Sequence, residues 1–574
     1  MTGFRIEPTR LDAESIKALS TLDPKISNWP VVYTLDSTGE IYVGESINGS
    51  GRLHQHLDNP TKNHLTNVRI IIGETFNKSV CLDLESYLIR LFAGDGKYEV
   101  LNRNDGIADA DYYGRQHYQN SFEEIFEQLR KLGMFTRSVR AIENTDLFKL
   151  SPFKALTPDQ AIAVEDILSG LFDDLEHKTS SRIIVNGDPG TGKTVVAIYL
   201  MKLLADIKHL RNFETNDGDS ILSEFFTEGY PELLKNFRIG LVVPQQSLRR
   251  SIQSVFRKTP GLDPDSVLTP FQVGLGTTPF DLLIVDETHR LTQRANQTSA
   301  DLNTKYRVIN EKLFGADDPK YTQIDWINHS STHQIYLLDA DQSVRPMDVS
   351  AETLESLWST VDPTSRIYPL TSQMRVKAGQ NYVQYIKDVL SQRQDKPVRF
   401  EGYDLRFFDH FPAMLNEIRA REDDTGLSRM LAGYAWEWRS SKDSGVYDIT
   451  IDGVQLRWNK VIVDWVNSPS SVNEVGSIHT IQGYDLNYAG VIIGPDLRLD
   501  PRTGSLAFDR SNYFDRKGKQ KNSDGRPVTD DELLEFVKNI YAVLLTRGMR
   551  GTYIYACDPP LREYLRGFFH NYSG

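Results

Sequence analysis

Between residues 180 and 340, short apolar runs recur along the chain: RIIVNG, IGLVVP, DLLIVDE and HQIYLLD, separated by helical or irregular stretches. Strands that are apolar at successive positions, rather than at every second one, are expected where both faces of a sheet are covered. Their spacing predicts a parallel α/β layer. A second set, SRIYPL, RMLAGYAW, KVIVDWV, AGVIIG and GTYIYAC, follows from about residue 366 and predicts another such layer in tandem. Ahead of both, VVYTLDSTGEIYVGES at 31–46 places two β-rich runs around a turn-forming DSTGE, which predicts a hairpin. SVCLDLESYLIRLFAG then reads as a helix and DADYYGRQHYQNSFEEIFEQLRKLGMF as a polar, aromatic exit from it. The pattern divides the chain into a small α+β domain over 1–130, a weakly periodic linker over 131–156, and α/β domains over 157–365 and 366–574. Residues 208–236 and 505–530 read as insertions, and neither an internal repeat nor a low-complexity tract is present.

Composition narrows the class. With 574 residues, 39% hydrophobic and 25% charged, the chain is an ordinary globular protein too long for one core. No apolar run reaches the ~18 residues that a membrane span needs. The start MTGFRIEPTR lacks the apolar centre of a signal peptide, so a cytoplasmic protein with no membrane contact is expected. Cys81 and Cys557 are the only cysteines, which excludes a disulfide framework and a thiolate zinc site, and the histidines show no zinc-ligand spacing. A net charge of −13 argues against indiscriminate coating of nucleic acid but does not report on a local groove. The basic, aromatic stretch NYFDRKGKQK at 512–521 reads as a solvated loop.

The sharpest chemical signal is RIIVNGDPGTGKTVVAIYLMKLL, a buried strand, then Gly187-x4-Gly192-Lys193-Thr194 with Gly190 between, then an apolar helix. This is the context in which backbone N–H groups cradle the β-phosphate of ATP, Lys193 supplies charge to the β- and γ-phosphates, and the Thr194 hydroxyl ligates Mg²⁺. In FDLLIVDETHR, Asp286 ends a strand where it can hold the Mg²⁺ shell, and Glu287 can orient and deprotonate the attacking water. QIYLLDADQSVRP ends a strand in Asp339, Asp341 and Gln342, polar groups able to sense a γ-phosphate. YPLTSQMRV places Gln373 and Arg375 after a strand, and LLTRGMRGTYIYACD places Arg547 and Arg550 before another. Arginines brought by a second domain to a γ-phosphate link hydrolysis to domain closure.

These blocks, in this order, resemble superfamily 1 helicases and more closely the Schlafen group 3-like DNA/RNA helicases, over residues 153 to 560. LTPDQ with Gln160 resembles the adenine-reading glutamine motif, LVVPQQSLRRS a strand-end motif that holds the nucleic-acid backbone, and SIHTIQGYDLNYAGVIIG the family's motif V. The resemblance implies two RecA-like parallel-sheet domains with ATP between them, and Gln482 and Gly483 at the junction of nucleotide and nucleic acid. The sequence reads Asp-Glu-Thr-His where other superfamily 1 endings are commoner, and no segment matches a strand-separating pin.

With a nucleic-acid motor expected, the first domain gains meaning. Tyr33, Tyr42 with YVG, GRLHQHL with Arg52, His54 and His56, DLESYLIR with Glu85, and VLNRND with Asn102 resemble, in that order, the GIY-YIG nucleases over residues 29 to 105. Val31 stands where that family's first glycine usually lies. The resemblance implies that Glu85 holds one Mg²⁺ or Mn²⁺, Arg52 clamps the scissile phosphate, and Tyr33, hydrogen-bonded to a neighbour such as His56, accepts a proton from water once the metal lowers its pKa. Tyr42 would assist, Asn102 would brace the site and Gly44 would permit close approach.

The sequence therefore predicts an α/β protein, a small α+β GIY-YIG-like nuclease domain followed by two tandem RecA-like domains. Its predicted function is an ATP-dependent translocase or helicase joined to a metal-dependent endonuclease, with DNA favoured over RNA, in defence against foreign DNA or in repair. Two alternatives stand beside it: a remodelling ATPase whose first domain only binds nucleic acid, and a nucleotide-gated scaffold.

Overall fold

The computed structural model describes residues 3–102, 112–154, 156–210, 222–227, 229–294, 297, 299–339, 347–360, 366–373, 376, 380–461, 464–481, 484–515, 519 and 526–570. Of the predicted site residues, Gln342, Arg375 and Gly483 lie outside these, as do Asp341, Gln482 and most of 516–525. The chain forms two compact units, one of residues 1–166, 198–236 and 251–266, the other of 167–197, 237–250 and 267–574. Among the described residues no helix is long and apolar enough to cross a membrane.

The first unit carries a five-stranded sheet built from β1 (Phe4–Arg10), β2 (Val31–Asp36), β3 (Glu40–Ser46), β4 (Asn67–Gly73) and β5 (Glu99–Val100), in the order β1-β4-β2-β3-β5. All neighbours are antiparallel except β3 and β5. The expected hairpin is β2–β3, in a register that sets Tyr33 opposite Gly44 and Leu35 opposite Tyr42. Alternation along β2 feeds two cores. Val31, Tyr33 and Leu35 pack with Ile16 of α1 (Ala13–Leu22) and Leu53 of α2 (Gly49–Asp58). Val32 turns the other way, with Leu84, Leu88 and Phe92 of α3 (Lys78–Asp95) and Phe122 and Phe126 of α4 (Arg115–Lys131). The Asn77 side chain accepts from Val80 N–H to start α3, and Gly96, at φ 66°, ends it.

Residues 131–156, expected to be a linker, instead form α5 (Val139–Glu143) and α6 (Asp146–Lys149) packed on α3. Phe135 stacks on Phe92 with ring centroids 4.2 Å apart. The buried Asp95 carboxylate accepts from Thr136 N–H at 3.0 Å and Arg137 N–H at 3.1 Å. A side chain at Gly94 would collide with Ile142 and Phe148. The apolar residues here are spaced to meet another helix rather than to repeat along their own, which is why no periodicity announced them.

In the second unit β6 (Arg182–Gly187), β7 (Ile239–Val242), β8 (Val267–Leu268), β9 (Phe280–Val285), β10 (Ser331–Leu338) and β11 (Ile367–Leu370) form a six-stranded, wholly parallel sheet in the order β11-β6-β10-β9-β7-β8. SRIYPL, expected in the second sheet, is thus the edge strand of the first. Arg366 accepts from Ile184 N–H through its carbonyl at 2.9 Å and donates to Asp174 at 2.7 Å, which anchors the run beside β6. A seven-stranded sheet follows from β12 (Asp404–Phe407), β13 (Ser428–Ala432), β14 (Ile449–Ile451), β15 (Val454–Trp458), β16 (Glu474–Ser477), β17 (Leu486–Ile493) and the strand Gly548–Ala556; its ladder is parallel except for the β14–β15 hairpin at one edge. Helices pack on this second sheet to bury Tyr382, Ile386, Trp465, Leu533 and Tyr541 with Leu431 and Val491.

Candidate functional site

The strand β6 lies between β10 and β11 and runs into the loop 187–192, followed by α7 (Lys193–Lys208). Gly190 and Gly192 take φ of 88° and 81°, where a Cβ would be strained. Gly187 has no room for one, since it would lie 2.4 Å from Thr191 Oγ1 and 3.1 Å from the Leu370 carbonyl. Lys193 is buried and donates to the Gly187 carbonyl and, at 3.0 Å, to that of Asp188, with Asp339 Oδ2 at 3.9 Å. Its ammonium is therefore held inside the loop.

The Thr194 hydroxyl donates to Asp286 Oδ2 at 2.7 Å. Burial, then the charge of Glu287, push the Asp286 carboxyl up to about 7. Burial penalises the Glu287 carboxylate as well. His289 outweighs that, with Arg290 and Lys193 assisting, and holds Glu287 well below the usual carboxylate range. A hydroxyl and a buried carboxylate in contact, beside a second carboxylate, suit a hard divalent cation, and the glycine loop with its lysine suits the phosphates of ATP. The residues present fit both groups: Thr194 and Asp286 would hold Mg²⁺, which supplies charge neutralisation at the phosphates.

Glu287 sits in the left-handed region, at φ 51°. Its Oε2 lies 3.0 Å from His289 Nε2. The other ring nitrogen, Nδ1, accepts from Asp339 N–H at 3.3 Å. The histidine thus lies between Glu287, just beyond β9, and Asp339 at the end of β10. Sequence reasoning quoted this histidine without giving it a role; its spacing of two from Glu287 was the available signal.

Elsewhere in this unit Gln373 donates to the Pro189 carbonyl at 2.8 Å, so this residue does reach the phosphate loop. Arg547 is buried, with Nη1 3.5 Å from the Tyr484 carbonyl, and Arg550 is exposed on the strand Gly548–Ala556. Gln160, in the first unit, is buried and accepts from Thr157 N–H at 3.0 Å.

The first unit brings the residues of the predicted nuclease centre together. Tyr33 is buried, with its hydroxyl 2.8 Å from His56 Nε2. Tyr42 packs edge-on to His56 at a ring separation of 5.1 Å and tilts against Tyr33 at 6.4 Å. The Arg52 guanidinium lies beside both phenols. The Glu85 charge acts on both the Tyr33 phenol and the Cys81 thiol one turn earlier on α3. Asn102, buried, donates to the Val43 carbonyl at 2.7 Å and accepts from Val43 N–H at 3.1 Å, extending the β3 ladder with a side chain. A Cβ on Gly44 would lie 2.4 Å from the Tyr33 hydroxyl and ring, so the glycine makes space for the tyrosine opposite it.

Burial pushes the Tyr33 phenol well above the ordinary range, Tyr42 and Glu85 push the same way, and Arg52 alone opposes them. The resting phenol is therefore protonated. Burial, then the charges of Lys62 and Arg52, lower His56 to about 3 and keep it neutral. Lys62, which sequence reasoning passed over, places its ammonium 4.0 Å over the Tyr42 ring. Among the described residues no group of three or more His, Cys, Asp or Glu could hold a metal. A single carboxylate still fits Mg²⁺, which keeps most of its waters and completes its shell with substrate phosphate.

The sequence profile described as Schlafen group 3, DNA/RNA helicase domain matches residues 180–558. The chain belongs to this family. It is 27% identical over 480 residues, 77% of this chain and 97% of the relative, to an uncharacterized protein of Saccharomyces cerevisiae. Weaker structural likenesses include the arterivirus nonstructural protein 10 helicase (12% identity, TM-score 0.26, 71% of this chain and 63% of that one). They also include the Pif1 helicase of Candida albicans (12% identity, TM-score 0.27, 73% and 97%). At these scores they add nothing to the family match. The matched segment holds the phosphate loop, Asp286, Glu287 and both parallel sheets, and it begins after the tyrosine cluster ends.

Proposed function

We propose that this Schlafen group 3 helicase-family chain is an ATP-driven nucleic-acid translocase or helicase whose first domain is a metal-dependent endonuclease. The observation that carries the motor is the contact of Thr194 with Asp286, made where a glycine loop presents Lys193 and where Glu287 is held ionised. In the cycle this implies, the loop's N–H groups and Lys193 bind and orient the phosphates, and Glu287 takes a proton from the attacking water. His289 fixes Glu287, and Arg547 or Arg550 meets the γ-phosphate on closure. Gln160, Gln342, Arg375 and Gly483 keep the roles the family resemblance gives them.

The nuclease reading is supported by the convergence of Tyr33, Tyr42, Arg52 and His56 within one small space, with Glu85 acting on it. Arg52 would clamp the scissile phosphate, and Tyr33 would orient water. Tyr33 could take a proton from water only after giving up its own, and because Arg52 alone lowers the phenol, a cation held by Glu85 would supply the further positive charge that favours that loss. DNA is the favoured substrate, and defence or repair the setting. The test is hydrolysis of ATP and nicking of labelled single- and double-stranded DNA and RNA by the same preparation, with Mg²⁺ or Mn²⁺. ATPase activity indifferent to every nucleic acid would overturn the motor, and absence of any cleavage would leave the first domain a binding module.

A further inference from the structure

Asp188, the second residue of the phosphate loop, is held at both ends. Its carbonyl accepts from Thr191 N–H at 3.3 Å, from the Thr191 hydroxyl at 3.0 Å and from Lys193 Nζ at 3.0 Å, so it organises the inside of the loop. Its carboxylate receives Lys387 Nζ at 3.0 Å. Lys387 lies on the helix Gln380–Leu390, whose Tyr382, Tyr385, Ile386 and Val389 are packed into the core on the second sheet. The next loop residue, Pro189, accepts from the Gln373 side chain through its carbonyl.

The backbone between these contacts is stiff. Proline fixes its own φ and restricts the residue before it, and the peptide bond joining them is planar. The Lys387 contact on the carboxylate and the contacts on the carbonyl therefore act on one residue whose backbone has little freedom. That carbonyl is one of the two on which Lys193 rests, and Lys193 must leave them to meet a phosphate.

We propose that Lys387 is a positioning residue of the ATPase site: through Asp188 it holds the phosphate loop in the shape that retains Lys193, and so couples the loop to the second sheet's layer. This rests on the reading of residues 187–194 as an ATP phosphate loop. The pair is partly exposed, 20% for Lys387 and 30% for Asp188, so its loss does not threaten folding.

The experiment compares wild type with Lys387→Ala, Asp188→Asn, the double variant and the reversed pair Asp188→Lys/Lys387→Asp. Amide exchange of 187–194 is followed without nucleotide, ATP binding by calorimetry, and nucleic-acid-stimulated hydrolysis by kcat and KM. Each single change is expected to speed exchange, tighten ATP binding about three- to five-fold and lower stimulated kcat by a similar factor, because a restraint on the empty loop is lost together with its coupling. The double variant should be no worse than either single one, and reversal should restore exchange and kcat. Unchanged exchange, weaker ATP binding, or additive effects of the two changes would overturn the proposal. Normal hydrolysis by Lys193→Ala would instead overturn the phosphate-loop reading beneath it.

Discussion

At the phosphate loop, the groups that would face a phosphate are backbone amides and Lys193 from one contiguous turn, with carboxylates just beyond β9, two strands away in the sheet. In the tyrosine cluster they are side chains from β2, β3, α2 and α3, and the centre of the cluster is a buried phenol against a neutral imidazole. The first arrangement draws most of its geometry from the chain's own turn, with single contacts such as Lys387 on Asp188 and Gln373 on Pro189 added to it. The second exists only where packing brings separate elements together, so a single added methyl group at Gly44 disturbs it. A contiguous site should fail by loss of charge, and a dispersed one by loss of shape as well.

The largest effect is expected at the motor's carboxylate. Glu287→Gln should lower nucleic-acid-stimulated ATP turnover by at least ~10²-fold while ATP still binds, seen by steady-state hydrolysis beside calorimetry. Tyr33→Phe keeps the ring and removes the hydroxyl, so nicking should fall ~10²-fold with an unchanged melting curve. His289→Ala should lower kcat about ten-fold with a smaller change in KM, and His289→Gln, which can still donate to Glu287, should recover part of it. Gly44→Ala should destabilise the first unit by ~1–3 kcal/mol in denaturant melts, with nicking reduced and ATP turnover retained, because overpacking displaces the Tyr33 ring. The smallest effect is on pH. His56 has its folded value lowered to about 3 from an ordinary 6.5. The unfolded chain therefore takes up a proton that the folded unit refuses, and this contribution to stability, full above about pH 6.5, is lost as pH falls toward 3. Thermal melts across that range should show the decline and His56→Gln should flatten it.

The same contrast governs what could be read in the sequence. The phosphate loop is one unbroken stretch, Asp286 and Glu287 are consecutive, and the apolar runs ahead of both carry a strong signal, so these stretches and the strands β6, β9 and β10 were legible. The hairpin and the order of Tyr33, Tyr42, Arg52, Glu85 and Asn102 were legible only through resemblance, since no periodicity relates residues on different elements. What stayed hidden depends on contacts distant in sequence. Arg366 meets Asp174, which places SRIYPL in the first sheet, and Phe135 meets Phe92, which turns an expected linker into packed helices. Lys387 meets Asp188 across nearly two hundred residues, and Lys62 meets Tyr42 from an otherwise exposed turn. The raised Tyr33 phenol was also beyond the sequence, because burial decides it.

The most direct test of two chemistries in one chain is a plasmid-nicking assay run beside a nucleic-acid-stimulated ATPase assay on wild type, Glu85→Ala and Lys193→Ala. The account predicts that Glu85→Ala abolishes metal-dependent nicking and hydrolyses ATP like wild type, while Lys193→Ala loses ATP hydrolysis. Nicking by Glu85→Ala at the wild-type rate would contradict it.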